Sequence, residues 1–395
     1  MSTLKVDAIR HNSATSDAIT TASDGTCTAK LTSIGGGGLS HRNLIINGDF
    51  QVAQRASSSN NNGYTSVDRW KIESSNITHN STKSQQSLSS SDTPYTLGFR
   101  RFARIALAQA GVVAANSYVE FHHKMEAQNV SNSGWNYNST SSFITLQFWF
   151  RCSTNQTFYA WVTSTDGTNK RFTFSFTASG NNVWTKVTKT IPGASGIQID
   201  NDNGEGFNVV IAPFYGTDYT GSVSLDTWVT KNDATHSPDY ASTWLTAGAS
   251  TFDITGVQLE VGDTATSFEH RSFGDELTRC RRYCYVLGFP SVGDSYERVA
   301  RGQGYDSTRT RITVFHPTEM RAKASSVTIP DISHWQISDT SNAFLPSAFE
   351  LTPNVNGVLS TGMQFTHASG ATAYRNYFLE RRGTTAGKVI INAEL

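Results

Sequence analysis

The sequence predicts an all-β fold: an antiparallel β-sandwich, a short connecting helix and a smaller C-terminal β-domain, preceded by a small N-terminal β-repeat segment. Short apolar and β-branched runs recur along the chain, with no long helical pattern between them. Charged residues make up only 16% of the chain, and Ser, Thr, Asn and Gly fill the connections between the runs. Turn signals such as Asn-Gly and Asp-Gly separate the runs, as is typical of sandwiches built from short strands.

The composition argues against several classes of protein. A length of 395 residues predicts one to three domains. The 32 Lys and Arg residues balance the 32 Asp and Glu residues, which argues against broad electrostatic binding to nucleic acid. The chain has no apolar run of about 18 residues and no long apolar core near Met1, so we expect no membrane span and no signal peptide. Synthesis in a cytoplasm is therefore expected.

The four cysteines, Cys27, Cys152, Cys280 and Cys284, do not form a disulfide framework for a chain of this length. Cys280 and Cys284 have helical i,i+4 spacing, which places their Cβ atoms about 5–6 Å apart. A disulfide needs about 3.8 Å. We interpret all four as small and mostly buried residues, because the alternative, a zinc pair, lacks clustered partners.

Residues 1–40 are too polar to bury a core alone. Two seven-residue units, Ser16–Ala22 and Ser23–Ala29, predict small strands that become stable by packing against copies of themselves or a partner. Gly35–Gly38 follows as a flexible linker. A disordered tail is the alternative interpretation of the segment.

Residues 41–270 are predicted to form the main domain. The stretch Asn43–Phe50 has the apolar run and turn signal of an opening strand, and its expected neighbour is Phe252–Val261. The alternation of the second stretch slips by one residue at Gly256, which indicates a β-bulge. If the two stretches meet, everything between them is one sandwich.

The strands between these two stretches alternate apolar and polar residues. The clearest is Phe143–Arg151, in which Ile144, Leu146, Phe148 and Phe150 share one face. Tyr64–Trp70 leads into a strand, whereas Ser74–Thr93 is predicted to be a loop rich in Ser and Asn. Further predicted strands are Phe158–Val162, Arg171–Thr177, Val183–Ile191 and Phe207–Phe214, the first two joined by an Asp166-Gly167 turn.

Residues 271–288 are predicted to be a helical connector. Ser272 and Asp275 fit a capping box, and Gly288 supplies the stop. The apolar residues follow a heptad spacing: Phe273, Leu277, Cys280, Cys284 and Leu287. Two interpretations stay open, a helix that lies on its own sandwich and a helix that faces its copies across an oligomer axis.

Residues 289–395 are predicted to form the smaller β-domain. Its expected strands are Arg309–Phe315, Val327–Ile329, Gly362–Thr366, Tyr374–Leu379 and Lys388–Ile391.

The motifs of the main domain resemble jelly-roll carbohydrate-binding modules of the galactose-binding-like type. The resemblance lies in Asn43–Phe50, Trp70 and Ile254–Glu260, with Phe143–Arg151 and Val183–Val187 as the middle strands. It implies a jelly roll. Modules of this type often carry an acid after the Phe of the first strand, which contributes to a calcium site, but this chain has Gln51 there. Asp49 remains as a possible ligand for a structural calcium ion, and no other cofactor is expected.

Three further stretches resemble tail fibres and related virion proteins of tailed bacteriophages. They are Thr3–Asp7, Ile254–His270 running into Ser272–Tyr285, and Phe315–Arg321. The resemblance covers most of the chain. It implies a homotrimeric virion fibre or spike, assembled in the host cytoplasm, whose N-terminal residues 1–40 contact other tail or capsid proteins and whose C-terminal end points outward.

Sugar binding needs aromatic faces beside amide and carboxylate groups. Two loops offer such a combination: Trp135 and Tyr137 among asparagines, and Tyr215, Asp218 and Tyr219 ahead of Trp228. In the last domain the candidates are Trp335, with His334, Phe344 and Tyr377. The alternative is that these aromatic residues pack the rim of a large sandwich.

Catalytic and metal motifs find little support. The loop Asp200–Gly206 resembles a calcium loop, but Ala212 stands where the bidentate Glu belongs, which favours a solvated turn. His122-His123 lacks a third ligand at metal spacing and is interpreted as surface. A glycan hydrolase needs two carboxylates about 5–10 Å apart, and no such pair stands out.

The sequence therefore predicts a phage virion fibre that recognises host surface polysaccharide and is not an enzyme. A purely structural virion component, such as a head fibre or tail adaptor, is the alternative, and a polysaccharide hydrolase is the third hypothesis.

Overall fold

The computed structural model describes residues 6–10, 12–13, 15–25, 27–29, 42–77, 81–288, 296–352, 355–383 and 387–395. Every pairing between named strands in these ranges is antiparallel, which confirms the predicted all-β class. None of the helices in the described ranges has the length and apolar character needed to cross a bilayer.

The N-terminal segment forms a small three-stranded sheet. Its strands are β1 (Ala8–Ile9), β2 (Ile19–Thr21) and β3 (Cys27–Ala29), in that order across the sheet. β2 lies in the first predicted repeat unit and β3 in the second, so the prediction of strands in both units is confirmed. The predicted glycine linker, Gly35–Gly38, lies outside the described residues.

Two six-stranded sheets form the jelly roll. Its elements are β4 (Ser58–Ser59), β5 (Trp70–Ser75), β6 (Ser81–Ser87), α1 (Thr93–Thr96), β7 (Arg101–Leu107), β8 (Tyr118–Glu126), α2 (Ala127–Ser131), β9 (Phe143–Cys152), β10 (Phe158–Ser164), β11 (Lys170–Phe176), β12 (Thr185–Pro192), β13 (Glu205–Tyr215), β14 (Trp228–Thr230), α3 (Thr243–Thr246) and β15 (Ser250–Val261). The front sheet has the order β14-β11-β10-β13-β8-β5, and the back sheet has the order β12-β9-β15-β7-β6-β4.

The inner faces of the two sheets share one hydrophobic core. On β9 the residues Ile144, Leu146, Phe148 and Phe150 are fully buried, as their alternation predicted. Burying a side chain of this size stabilises a fold by about 1.5–3 kcal/mol. The aromatic rings of β9, β10, β11 and β15 pack edge to face in the middle of this core.

The opening stretch Asn43–Phe50 lies along β15, so the predicted neighbourhood is confirmed. The Leu44 N–H donates to the Leu259 carbonyl over 2.9 Å, and the Val257 N–H donates to the Gly48 carbonyl over 2.9 Å. The prediction of a regular strand is wrong, because Asn47 and Phe50 have positive φ angles of 59° and 58° and turn the backbone. A Cβ atom on Gly48 would stand 2.0 Å from the Val257 oxygen, so this close approach requires glycine.

The predicted β-bulge at Gly256 is confirmed. The register between β15 and β9 shifts between Thr255 and Gln258. Gly256 has a φ of 63°, and a Cβ atom there would lie 2.7 Å from the Phe99 ring. The bulge therefore needs glycine for both its conformation and its space.

The predicted loop Ser74–Thr93 contains strand β6, so that prediction is wrong in its middle. The sequence of β6, Ser-Thr-Lys-Ser-Gln-Gln-Ser, contains no apolar side chain. All seven of its residues nevertheless pair with β7. Backbone hydrogen bonds to a neighbouring strand hold this segment, and hydrophobic periodicity cannot detect such an element.

The connector helix is shorter than predicted. Helix α4 runs over Phe273–Arg281, with the Ser272 hydroxyl accepting from the Asp275 N–H as the capping box predicted. Cys284 and Leu287 lie in the strand Cys284–Gly288, so the predicted helical seam is wrong for these two residues. The Arg282 guanidinium and the Tyr283 hydroxyl both bond to the Glu126 carboxylate, and these bonds fix the chain where the helix ends.

The remaining seam residues contact their own chain or solvent. Cys280 is fully buried, and Leu277 packs beside it against Ile46 of the opening stretch and Val52 just after it. The side chain of Phe273 is 55% exposed. Within the chain α4 thus packs on its own sandwich, and its contact with other copies stays a prediction.

The C-terminal domain is a second, smaller sandwich that begins at Cys284 and not at residue 289. Its elements are β16 (Cys284–Gly288), β17 (Arg298–Gly304), β18 (Arg309–Phe315), β19 (Ser326–Thr328), the 3₁₀ turn Ile332–His334, β20 (Trp335–Ser338), β21 (Ala343–Phe344), β22 (Pro346–Leu351), β23 (Ser360–His367), β24 (Asn376–Arg381) and β25 (Lys388–Asn392). A seven-stranded sheet, β21-β20-β24-β17-β18-β23-β22, packs on the three-stranded sheet β16-β25-β19.

Buried ion pairs connect the two sandwiches. The Glu394 carboxylate lies 3.0 Å from Arg55 and also pairs with Arg69, and both arginines belong to the jelly roll. Arg321 donates to the backbone carbonyls of Asn203 and Ala393. The loop Asp200–Gly206, predicted to be a solvated turn, therefore also contacts the C-terminal domain.

Candidate functional site

The outer face of the front sheet is polar and aromatic. Along β8, Val119 and Phe121 are fully buried in the core. Tyr118, Glu120 and His122 alternate with them and therefore lie on the opposite face. The His122-His123 pair, predicted to be surface, divides between the two faces, because His123 is fully buried and bonds to the Ile46 backbone.

The register of the sheet places these side chains in rows. His122 lies opposite Lys71 on β5 and opposite Val210 on β13. Val210 lies opposite Trp161 on β10, and Trp161 lies opposite Thr173 on β11. One row of outward side chains thus crosses five strands, with a tryptophan and a histidine two strands apart.

An aromatic cluster gathers around Tyr215 on this face. The Tyr215 ring lies 5.3 Å from Trp161, 5.6 Å from Tyr118 and 5.7 Å from Tyr219, measured between ring centroids. His236 stands 5.4 Å from Trp161 and 5.1 Å from Tyr215. The loop between β13 and β14 carries Tyr219, and His236 follows on the segment after β14. Trp161 and Tyr215 are nearly buried, whereas the rings of Tyr118 and Tyr219 are half-buried and partly accessible.

A buried carboxylate lies beneath the cluster. Glu120 is 6% exposed; its Oε2 accepts a hydrogen bond from the Tyr215 hydroxyl, and its Oε1 lies 3.6 Å from Nδ1 of His122. Burial alone would raise the pKa of Glu120, but the interactions with His122 and Tyr215 lower the pKa to about 2. Glu120 is therefore ionised at neutral pH and acts as a fixed acceptor.

Three buried nitrogen atoms near this cluster have no hydrogen-bond partner among the described residues. They are Nε2 of His122, Nε of Arg171 and Nδ1 of His236. Burial lowers the pKa of His236 to about 4, so its ring is neutral at pH 7 and Nδ1 is a donor or an acceptor according to tautomer. Because buried polar groups are nearly always hydrogen-bonded in native proteins, these three atoms mark a polar interior beneath the accessible rings.

The charges on the face are largely compensated. Lys71 lies 2.9 Å from Glu73, and Lys124 lies 2.7 Å from Glu205. Arg171 donates to the Asn232 carbonyl over 3.1 Å, and its guanidinium lies 5.6 Å from the Trp161 ring. The face combines ionic and aromatic groups without a strong excess of either charge.

One of the groups of residues that the sequence predicts to bind sugar lies at this site. Tyr215 and Tyr219 belong to the aromatic cluster, and Asp218 is exposed beside them, with its N–H bonded to the Ala115 carbonyl. The residues of this group are brought together as the sequence suggested.

The Trp135 and Tyr137 pair does not form a platform. The Trp135 ring is 3% exposed, packs 5.7 Å from Phe207 and belongs to the core between the sheets. Tyr137 is half-buried, and its hydroxyl reaches the Ile199 carbonyl over 3.4 Å. The alternative interpretation, packing of the sandwich, describes these residues.

Trp335 is also a core residue. It is 1% exposed and packs against Gly387, so it offers no face to a ligand. Tyr377 is 1% exposed in the same core. Phe344 stacks on His367, and His334 pairs with Asp331. The predicted candidates of the C-terminal domain thus do not share one accessible site.

Asp49, the predicted calcium ligand, is 5% exposed and accepts a hydrogen bond from the Gln51 side chain. Burial raises the pKa of Asp49 despite this bond. Within the described ranges no three His, Cys, Asp or Glu side chains come together as metal ligands would. Calcium binding stays a prediction.

Sequence reasoning missed Trp161, Glu120, His122, Arg171 and His236 as site residues. The missed signal is alternation: on β8 each outward polar residue follows an inward one, and on β10 Tyr159 and Trp161 alternate with core residues. Because the outward residues of β10 are themselves aromatic, the strand has a continuous apolar sequence. Its inner and outer faces therefore cannot be distinguished from the sequence pattern.

No protein-family model and no curated protein matches the chain. Among solved structures, the enzymatically active domain of tailspike protein 4 from bacteriophage CBA120 is 10% identical, with a TM-score of 0.29 over 59% of this chain and 24% of that chain. TmCBM61 in complex with β-1,4-galactotriose is 9% identical, with a TM-score of 0.28 over 56% of this chain and 99% of that chain. A family 11 carbohydrate-binding module from Clostridium thermocellum is 8% identical, with a TM-score of 0.26 over 53% and 96%. Similarity this low is not evidence for a function of this chain. The proposed function therefore rests on the residues of the outer face of the front sheet.

Proposed function

We propose that the chain binds glycan on the outer face of the front sheet of its jelly roll. The observation that carries this proposal is the grouping of the accessible Tyr118 and Tyr219 rings with the exposed Asp218 and the half-buried His122. A sugar presents C–H groups that stack on aromatic rings, and its hydroxyls both donate and accept hydrogen bonds. The exposed Asp218 and the half-buried His122 would bond to such hydroxyls, whereas the buried Glu120 holds the Tyr215 hydroxyl beneath the rings.

The pattern of charges supports binding over hydrolysis. Glu73 and Glu120 face each other on β5 and β8, and paired strand residues have Cβ atoms about 5 Å apart. Retaining glycosidases use carboxylates at a similar separation, but one of them has to be a protonated acid. Glu120 has a pKa of about 2, and Glu73 lies 2.9 Å from Lys71. This arrangement supports a binding protein, with a hydrolase as the weaker hypothesis.

The biological setting that we propose is a homotrimeric phage virion fibre. It attaches to the particle through residues 1–40 and recognises host cell-surface polysaccharide through its β-domains. The motif resemblances at Ile254–Tyr285 and Phe315–Arg321 support this setting. Weak sites on three chains would be multiplied by valency. A structural virion component without glycan binding is the alternative, and the near-complete burial of Trp161 and Tyr215 favours it.

Glycan-array binding of the whole chain tests the proposal. We compare the wild type with the double variant Tyr118→Ala/Tyr219→Ala, which removes the accessible rings and leaves the core strands intact. The matched control is Tyr305→Ala, an exposed tyrosine of the C-terminal domain. The proposal expects glycan binding by the wild type and the control, and its loss in the double variant. Binding by no chain, or equal binding by all three, contradicts it.

Two further measurements address the finer points. Light scattering of the whole chain measures the mass of the assembly. The fibre proposal predicts the mass of three chains, and the mass of a single chain would contradict it. Release of reducing sugar from a bound polysaccharide would establish the hydrolase hypothesis in place of the binding one.

A further inference from the structure

The C-terminal domain contains a shallow, open polar cleft of about 580 Å³ that none of the sequence candidates includes. It lies on the seven-stranded sheet beside Gln336 and Ser338 of β20 and Glu380 of β24, under the turn Asp339–Asn342 that leads into β21. Binding sites for small ligands commonly have volumes of about 300–1,000 Å³. The cleft is therefore large enough for a short saccharide.

The cleft is lined by buried polar groups in fixed positions. The Glu380 carboxylate is 4% exposed, accepts from the Gln336 amide over 2.6 Å and lies 3.2 Å from Nε of Arg298. Ser338 is 2% exposed, and its hydroxyl has no hydrogen-bond partner among the described residues. A hydroxyl that is buried and unpartnered in the wall of a cleft suits a ligand that donates or accepts a hydrogen bond.

The charges of the cleft are paired, which limits the chemistry of the ligand. Arg298 compensates Glu380, and Arg375, 2.8 Å away, compensates Asp339. Among the described residues that line the cleft, each of these charged groups therefore has an ion-pair partner, which favours a neutral ligand. Tyr296 at the rim is 56% exposed and offers an aromatic face.

We propose that this cleft is a second binding site, and that its ligand is a short neutral saccharide. The Glu380 carboxylate and the Gln336 amide would form hydrogen bonds with sugar hydroxyls, and the Ser338 hydroxyl would bond to a further one. The sugar ring would stack on the Tyr296 ring. The proposal does not depend on the jelly-roll face, because no residue is shared between the two sites.

Saturation-transfer NMR on the whole chain tests the cleft. The probes are cellobiose, lactose, maltose and N,N′-diacetylchitobiose at about 10 mM, which reveals sites with millimolar Kd. Glu380→Gln keeps the shape of the carboxylate and removes its charge, and Tyr296→Ala removes the rim ring. Tyr374→Ala is the matched control, because Tyr374 is also an exposed tyrosine with positive φ but lies outside the cleft. Ser338→Ala replaces Glu380→Gln if the latter fails to fold by circular dichroism.

The proposal expects at least one probe to bind the wild type, with Kd raised about tenfold in Glu380→Gln and severalfold in Tyr296→Ala. Tyr374→Ala and the jelly-roll variant Tyr118→Ala/Tyr219→Ala should then keep this binding. Three results overturn the proposal: no probe binds, the cleft variants bind as the wild type does, or only the jelly-roll variant loses binding. The third result would leave the jelly-roll proposal standing.

Discussion

The carboxylate of Glu394 offers a sharp test of how the two sandwiches are held together. Its side chain is 3% exposed and pairs with both Arg55 and Arg69, which are 7% and 0% exposed. Replacement by alanine removes one anion from between two buried cations. We expect Glu394→Ala to destabilise the chain strongly.

The remaining contacts set the magnitude. Arg55 would keep Asn392 at 3.0 Å and Asp68 at 3.8 Å. Arg69 would keep the Lys124 carbonyl at 2.6 Å and the Tyr283 ring at 3.4 Å, but among the described residues it would lose its paired carboxylate. Breaking a buried ion pair by removing one partner costs about 3–5 kcal/mol, because the other charge stays buried without compensation.

Thermal unfolding followed by circular dichroism measures this effect. A loss of this size corresponds to a fall in Tm of about 10 °C for a domain of this class. The control is Asp306→Asn, which removes a carboxylate from an exposed pair with Arg309 and should change Tm little. A shift for Glu394→Ala no larger than that of the control would refute the reasoning.

Three further predictions concern other parts of the fold. Burial, with the charge of Arg171, lowers the pKa of His236 from 6.5 to about 4, so below pH 6.5 the unfolded chain binds a proton that the folded chain does not. This group should therefore cost about 1–2 kcal/mol of stability between pH 7 and pH 5, and urea unfolding of His236→Gln at both pH values should show a smaller loss than the wild type. Gly256→Ala should lower the free energy of unfolding in urea by about 1–3 kcal/mol, because its Cβ would meet Phe99. The control Gly274→Ala lies in open space on α4 and should not destabilise the chain. Equal effects of the two substitutions would count against the bulge geometry. Burial raises the pKa of the Cys152 thiol to about 12, and it also raises the pKa of Cys280 and Cys284. A maleimide should therefore label one thiol, the exposed Cys27, in the native chain and all four thiols in urea. Rapid labelling of more than one thiol in the native chain would contradict this packing.

Features that depend on neighbouring residues in the sequence were predictable. The alternation of Phe143–Arg151 identified a core strand, and the phase slip at Gly256 identified a bulge. Both features follow from the local spacing of apolar residues. The neighbourhood of Asn43–Phe50 and β15 was also predictable from their apolar runs. Its irregular backbone was not, since the positive φ of Phe50 reflects tertiary packing.

Features that depend on tertiary partners were not predictable. Cys284 and Leu287 continue the apolar spacing of α4, but β25 pairs with this segment as a strand, and the pairing overrides the helical pattern. Trp135 and Trp161 are equally aromatic in the sequence. Trp135, between α2 and β9, packs between the sheets, whereas the register of β10 and β13 places Trp161 on the outer face.

The most direct test of the central claim is a crystal structure of the chain with a glycan that the array identifies. The proposal predicts a sugar ring against Tyr118 or Tyr219 and a sugar hydroxyl within hydrogen-bond distance of Asp218 or His122. Glycan bound to another surface of the jelly roll, with the outer face of the front sheet empty, would contradict it.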